Sequence, residues 1–298
     1  MPPRRPDRPG GADAARPYIG DVQSASNLDV TLLPGAERLL RAHSRELPQR
    51  DDLCGAFCAA LALQAAGVQE REGEPLDQDA VALAAGTVIS ALPNIEILPC
   101  DEQGRRDYRV ALPTIENGAF SGTTAEGLVR AIGGLSAGRL AAMPYSGPWT
   151  AATLGGIFDV AGSLNRPVTL LANFATHHLW GGRPSVAQLL DYLLAGVEDG
   201  PEPDWDVGHF ACVVGRVRGP RGSLYCVADT YRSLGNHGLH LQPEERLARA
   251  IDRRDMPAGG IIVVAAAEDA TTVRAGALAV GLAEGLWDNG TPAAEMLT

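Results

Sequence analysis

Residues 208–231, "GHFACVVGRVRGPRGSLYCVADTY", hold two apolar runs joined by a short Arg-Gly-Pro-Arg-Gly link. Runs rich in Val, Phe and Tyr, bounded by Gly and Pro, read as strands, and a link this short makes them an antiparallel hairpin. Toward the C-terminus, "QPEERLARAIDRR" reads as a helix with proline at its start, and "GGIIVVAAA" as the last core strand. Toward the N-terminus, "SVAQLLDYLLAG" is a helix stopped by Gly196, and "RPVTLLANF" is a buried strand bounded by Pro167. "TAATLGGIFDVAGSL" and "TTAEGLVRAIGGL" are helices, the second with Thr123 or Thr124 as N-cap and Glu126 in its first turn. "DYRVALPTI" is a predicted strand after the polar turn "DEQGRR". Three predicted helices come first: "PGAERLLRAHSREL", with Leu39, Leu40 and Leu47 at helical spacing, then the run from Cys54 to about Gly67, then "LDQDAVALAAGTVISAL". Helices followed by a mostly antiparallel set of strands predict an α+β fold, with the helices packed to one side of a sheet.

The chain has 298 residues, 45% of them apolar, which suffices for a sizeable core. A formal net charge of −11 argues against nucleic acid or anionic lipid as a partner. All basic side chains are arginine, so no Schiff-base or P-loop lysine exists. No apolar run is long enough for a membrane span, and "MPPRRPDRPGG" has no apolar core to make it a signal peptide. The cysteines are Cys54, Cys58, Cys100, Cys212 and Cys226. An odd number without regular spacing predicts reduced thiols and a cytoplasmic protein. The predicted organisation is a flexible arm over 1–27, one domain over 28–268 carrying an insertion within 68–165, and a helical extension over 269–298.

Cys54 stands where polar sequence, "LPQRDD", gives way to an apolar helix. Helix-start N–H groups and the helix dipole favour a thiolate there, and the same N–H groups can hold an oxyanion. Cys58, one turn further in, reads as a small core residue. A thiol nucleophile needs a base and a group to orient that base. His209 begins one strand of the hairpin and Asp229 ends the other, so antiparallel pairing predicts that they lie side by side at one rim of the sheet.

These residues resemble the papain-like cysteine peptidases. "Q-R-D-D-L-C-G-A-F-C" and "G-H-F-A-C-V-V-G" with "Y-C-V-A-D" are similar, more narrowly, to the bacteriocin-processing peptidases that act on double-glycine leaders. The resemblance implies a papain-like fold and a cysteine hydrolase, most readily a peptidase, that needs no cofactor. Cys54 would be the nucleophile, His209 the base, Asp229 its orienter and Gln49 the oxyanion-hole side chain, with a peptide or amide as substrate. The chain departs from the family pattern in placing Gln49 five residues before Cys54 instead of six, Leu53 where Asp is common, and Thr230 in place of proline. Two alternatives use the same residues: an acyl- or amide-transferring enzyme on the same triad, and a non-catalytic peptide-binding module of the same fold.

Other histidines compete for these roles. His177 and His178 are adjacent, but neither a second cysteine nor a carboxylate falls at ligand spacing beside them, so no metal is expected there. His237 and His240 in "LGNHGLH" read as loop residues.

Overall fold

The computed structural model describes residues 28–46, 48–93 and 97–294; the expected arm over 1–27 and Leu47 lie outside them. The elements run β1 (Asp29–Leu32), α1 (Ala36–Arg45), α2 (Cys54–Ala65), β2 (Glu70–Arg71), β3 (Glu74–Pro75), α3 (Gln78–Ala85), β4 (Ile89–Ser90) and β5 (Thr114–Ile115). They continue with α4 (Ala125–Leu135), β6 (Leu140–Tyr145), α5 (Ala151–Gly162), β7 (Thr169–Ala175), α6 (Val186–Ala195), β8 (Gly208–Arg218) and β9 (Ser223–Ala228). The last are β10 (Leu239–Pro243), α7 (Glu244–Asp252), β11 (Gly260–Ala266) and α8 (Ala270–Ala279).

The fold is α+β. Its main sheet has the strand order β10-β9-β8-β7-β11-β6, with β1 pairing the far end of β8. Every pairing in that sheet is antiparallel, while the small β4–β5 pair is parallel. Helices cover both faces, which corrects the one-sided packing expected from the sequence. One core joins α1 to α4 with Leu171, Phe210, Cys212 and Ile262. The other joins α5, α7 and α8 with Leu170, Ala211, Val213 and Ile261. The cause is visible in β7 and β11: all of β7 and all but the last residue of β11 are buried without polar alternation, and such strands need cover on two sides.

α3 ends at Ala85 because Gly86 takes a left-handed conformation, φ 70°, and Ile89–Ser90 becomes a strand where helix was expected. The expected strand "DYRVALPTI" shrinks to Thr114–Ile115; Pro113, with no N–H, stands directly before it. β6, "LAAMPY", and β10 were not expected. β6 contains Pro144, and proline is tolerated there because β6 ends the sheet order. In β8 the register with β9 shifts between Val213 and Gly215. A Cβ on Gly215 would come within 2.7 Å of Leu32 Cδ2, its partner across the β1–β8 pairing, so a larger residue there would push the Leu32 side chain aside.

The lead-in to α2 is a polar clamp. Arg50 pairs with Asp79 at 2.7 Å, both side chains almost fully buried. Asp51 accepts from the Arg105 backbone N–H at 2.8 Å, and Asp52 accepts from Ser90 N–H at 2.8 Å and Ser121 Oγ at 2.6 Å. Buried polar groups demand partners, so Asp79, Ser90, Arg105 and Ser121 are tied to the start of α2 through the "RDD" residues. No helix among the described residues is long and apolar enough to cross a membrane.

Candidate ligand cleft and the buried His209–Asp229 cluster

His209 is the second residue of β8, and Asp229 follows directly on β9. Their side chains meet, with His209 Nε2 2.9 Å from Asp229 Oδ1. Asp229 is the hub of a wider network. Its Oδ1 also accepts from the N–H groups of Thr230 at 2.7 Å and Tyr231 at 3.2 Å, and its Oδ2 faces His240 Nε2 at 3.2 Å. Its backbone oxygen accepts from His43 Nε2 at 2.6 Å. A carbonyl can only accept, so His43 is the Nε2–H tautomer. Gln49 donates to Tyr231 Oη at 2.8 Å and accepts from the Thr230 hydroxyl. That carboxamide fastens the turn after β9 to the α2 lead-in.

Burial alone would lower the pKa of His209, but the Asp229 charge and hydrogen bond outweigh it and push the group up to about 10. Cys54 adds a lesser hydrogen-bond and charge contribution in the same direction. Burial works against the Asp229 charge too, yet the His209 cation, and then His240, hold its carboxyl well below the usual range. The imidazolium sits among aromatic rings, with Trp205 at 4.8 Å, Phe174 at 5.8 Å and Tyr231 stacked at 5.8 Å between centroids. The stacked Tyr231 face can stabilise a cation held this close.

Cys54 opens α2, half-buried, at a terminus with no side-chain cap. It lines a cavity of about 300 Å³ together with Phe120, Asn173, Phe210, Arg253 and Met256. Cys58 is fully buried, donates to the Phe210 carbonyl at 3.4 Å, and has its thiol pushed well up by burial.

This arrangement corrects the expectation of a cysteine peptidase or amide hydrolase built on Cys54, His209 and Asp229. Among the described residues, the His, Cys, Asp and Glu side chains placed closely enough to hold one ion are His177, His178 and Asp255, a group without a cysteine. Neither His209 nor Asp229 lines the Cys54 cavity; Asp229 opens with His240 onto a separate cavity of about 30 Å³. An acyl carbon would have to meet the sulfur and a free imidazole in one space.

Several members of the site were not read from the sequence. Arg253, the residue after α7, is 3% exposed and lines the Cys54 cavity. It donates to Asn173 Oδ1 and to the Ala258 carbonyl, both at 2.6 Å, while its buried Nε has no hydrogen-bond partner. No carboxylate forms an ion pair with it among the described residues. Burial pushes its pKa down to about 10. His43 and His240 were likewise missed as partners of Asp229; His240 belongs to β10 and not to a loop. Nothing in the local sequence marks any of the three.

A double-sided α+β domain with a buried cationic cleft at a helix start is the class that fold and site define. The chain belongs to a family of unknown function, DUF6885, whose model matches residues 33–288. No curated protein matches the sequence.

Proposed function

We propose that the chain is a peptide-binding module with a papain-like arrangement, which holds its ligand in the Cys54–Arg253 cleft without cleaving it. The supporting observation is Arg253: a guanidinium buried with no carboxylate partner is costly unless an anion joins it. The uncapped N-terminus of α2 favours negative charge on the same cavity. Phe120, Met256 and Pro257 supply an apolar wall. This combination suits a peptide carboxylate with an apolar neighbour. In this reading Cys54 lines the cleft, and His209, Asp229 and Gln49 form the rigid floor beneath the start of α2. Five free cysteines accord with a reducing, cytoplasmic setting.

The test is fluorescence anisotropy against an array of labelled peptides, each made with a free and with an amidated C-terminus, followed by mass analysis of the recovered peptide. The expected result is saturable binding that amidation weakens by about tenfold or more, the effect of losing one charge-assisted pair. Arg253→Gln should erase the difference, Cys54→Ala should keep it, and every peptide should be recovered intact. Equal binding of both forms, or Cys54-dependent cleavage, would overturn the proposal.

A further inference from the structure

We propose that His177, His178 and Asp255 form a binding site for a divalent transition-metal ion of the zinc type. The two histidines lie in the 3₁₀ turn Thr176–His178 that follows β7, and Asp255 lies in the loop between α7 and β11. Sequence spacing hid the carboxylate; the fold brings it in. Their ligand atoms lie within 4.8 Å of one another. His177 Nε2 is 2.8 Å from Asp255 Oδ2, and His178 Nε2 is 3.5 Å from Asp255 Oδ1. A tetrahedral ion with bonds of 2.0–2.1 Å separates its ligand atoms by about 3.3 Å, a spacing that side-chain rotation within this cluster can reach.

Two further observations point to a cation. Asp206 Oδ1 lies 2.6 Å from His177 Nδ1. This is the outer carboxylate that fixes a metal-binding histidine with its other nitrogen free to ligate. With Nδ1–H given to Asp206, the Nε2 of a neutral His177 is an acceptor, and it faces a carboxylate oxygen, also an acceptor. One proton can bridge that contact alone. One metal ion satisfies His177, His178 and Asp255 together. The imidazoles lie tilted to one another at 4.1 Å between centroids and remain partly open to solvent, as does Asp255, so an ion has access. Three protein ligands leave a fourth position for water or a ligand atom. Asp255 directly precedes Met256 and Pro257 of the cleft wall, so an ion here would tie that wall to the turn after β7.

The test uses the full chain with the exposed Cys100 changed to Ser, stripped with a chelator and titrated with Zn(II) by calorimetry. One ion per chain and a raised melting temperature are expected, as is visible absorption of tetrahedral type when Co(II) is used instead. His178→Ala and Asp255→Ala should each weaken Zn(II) binding by more than about tenfold, and Asp206→Asn by about 10–100-fold. His237→Ala, an exposed histidine elsewhere, should change nothing. Absence of stoichiometric binding, or undiminished affinity in Asp255→Ala, would overturn the site. Calorimetry and the Co(II) spectrum are independent of whether the cleft binds peptide.

Discussion

Replacing Asp229 by Asn keeps the shape of the hub and removes its charge. In the wild-type protein burial opposes the His209 cation, but Asp229 prevails and His209 titrates at about 10. In an unfolded chain histidine titrates near about 6.5. Above that pH the folded state holds a proton that the unfolded chain releases. The stability from His209 is therefore complete below about 6.5 and is lost as pH rises toward 10, at about 1.4 kcal/mol per pH unit. The window to follow runs from about pH 6.5 to 8.5. There is no lysine to titrate. Cys58 and Cys226, raised by burial, add a loss of the same sign only above about 8.5, where unfolded thiols ionise. His43 and His178 are lowered, chiefly by burial, and act below the window. Across it the wild type should lose about 2–3 kcal/mol. In Asp229→Asn the main opposition to burial is removed and only the lesser Cys54 contribution remains, so His209 falls toward or below its usual range. The slope in the window should vanish, and stability should instead fall as pH drops below about 6.5. At the acid end of the window the variant should be less stable by about 3–5 kcal/mol, the cost of breaking a buried pair. Urea unfolding followed by tryptophan fluorescence at closely spaced pH values measures both curves. A wild-type curve flat from 6.5 to 8.5, or a variant that keeps the slope, would refute the reasoning.

Asp79→Ala strips Arg50 of its buried partner and should cost about 3–5 kcal/mol in urea unfolding. Cys58→Ala should lower stability by roughly 1–2 kcal/mol through a cavity and the lost contact to Phe210, whereas half-buried Cys54→Ala should cost under about 0.5 kcal/mol. The opposite ranking would make Cys54 the core residue. Gly127→Ala would place a Cβ 2.2 Å from the Ala85 carbonyl, so it should force α3 and α4 apart and cost at least about 1–3 kcal/mol, read as a lowered melting temperature.

The sequence by itself determined the elements whose signals are local. Thr124 caps α4, Gly196 ends α6 with φ 71°, and the Arg-Gly-Pro-Arg-Gly link closes the β8–β9 hairpin. Each depends on residues adjacent in the chain, and the α+β order followed from them. It also determined that His209 and Asp229 stand at neighbouring strand ends, because antiparallel pairing is itself a local rule. What those residues do was decided only by tertiary structure. The proton on His209 is set by burial among Trp205, Phe174 and Tyr231 and by a carboxylate shared with His240. Charge and solvation at a buried site depend on everything packed around it, and spacing carries no record of that. Arg253 reads in sequence as one arginine of "DRR"; it becomes a buried cation because the loop after α7 folds under the end of β7. Asp255 meets His177 and His178 only once β7 and β11 pair, since contact across so many residues follows from sheet topology alone. The two-sided cover of the sheet was legible in principle, from the unbroken apolar runs of β7 and β11. Which helices supply each layer was not, because either face of such a strand is equally apolar.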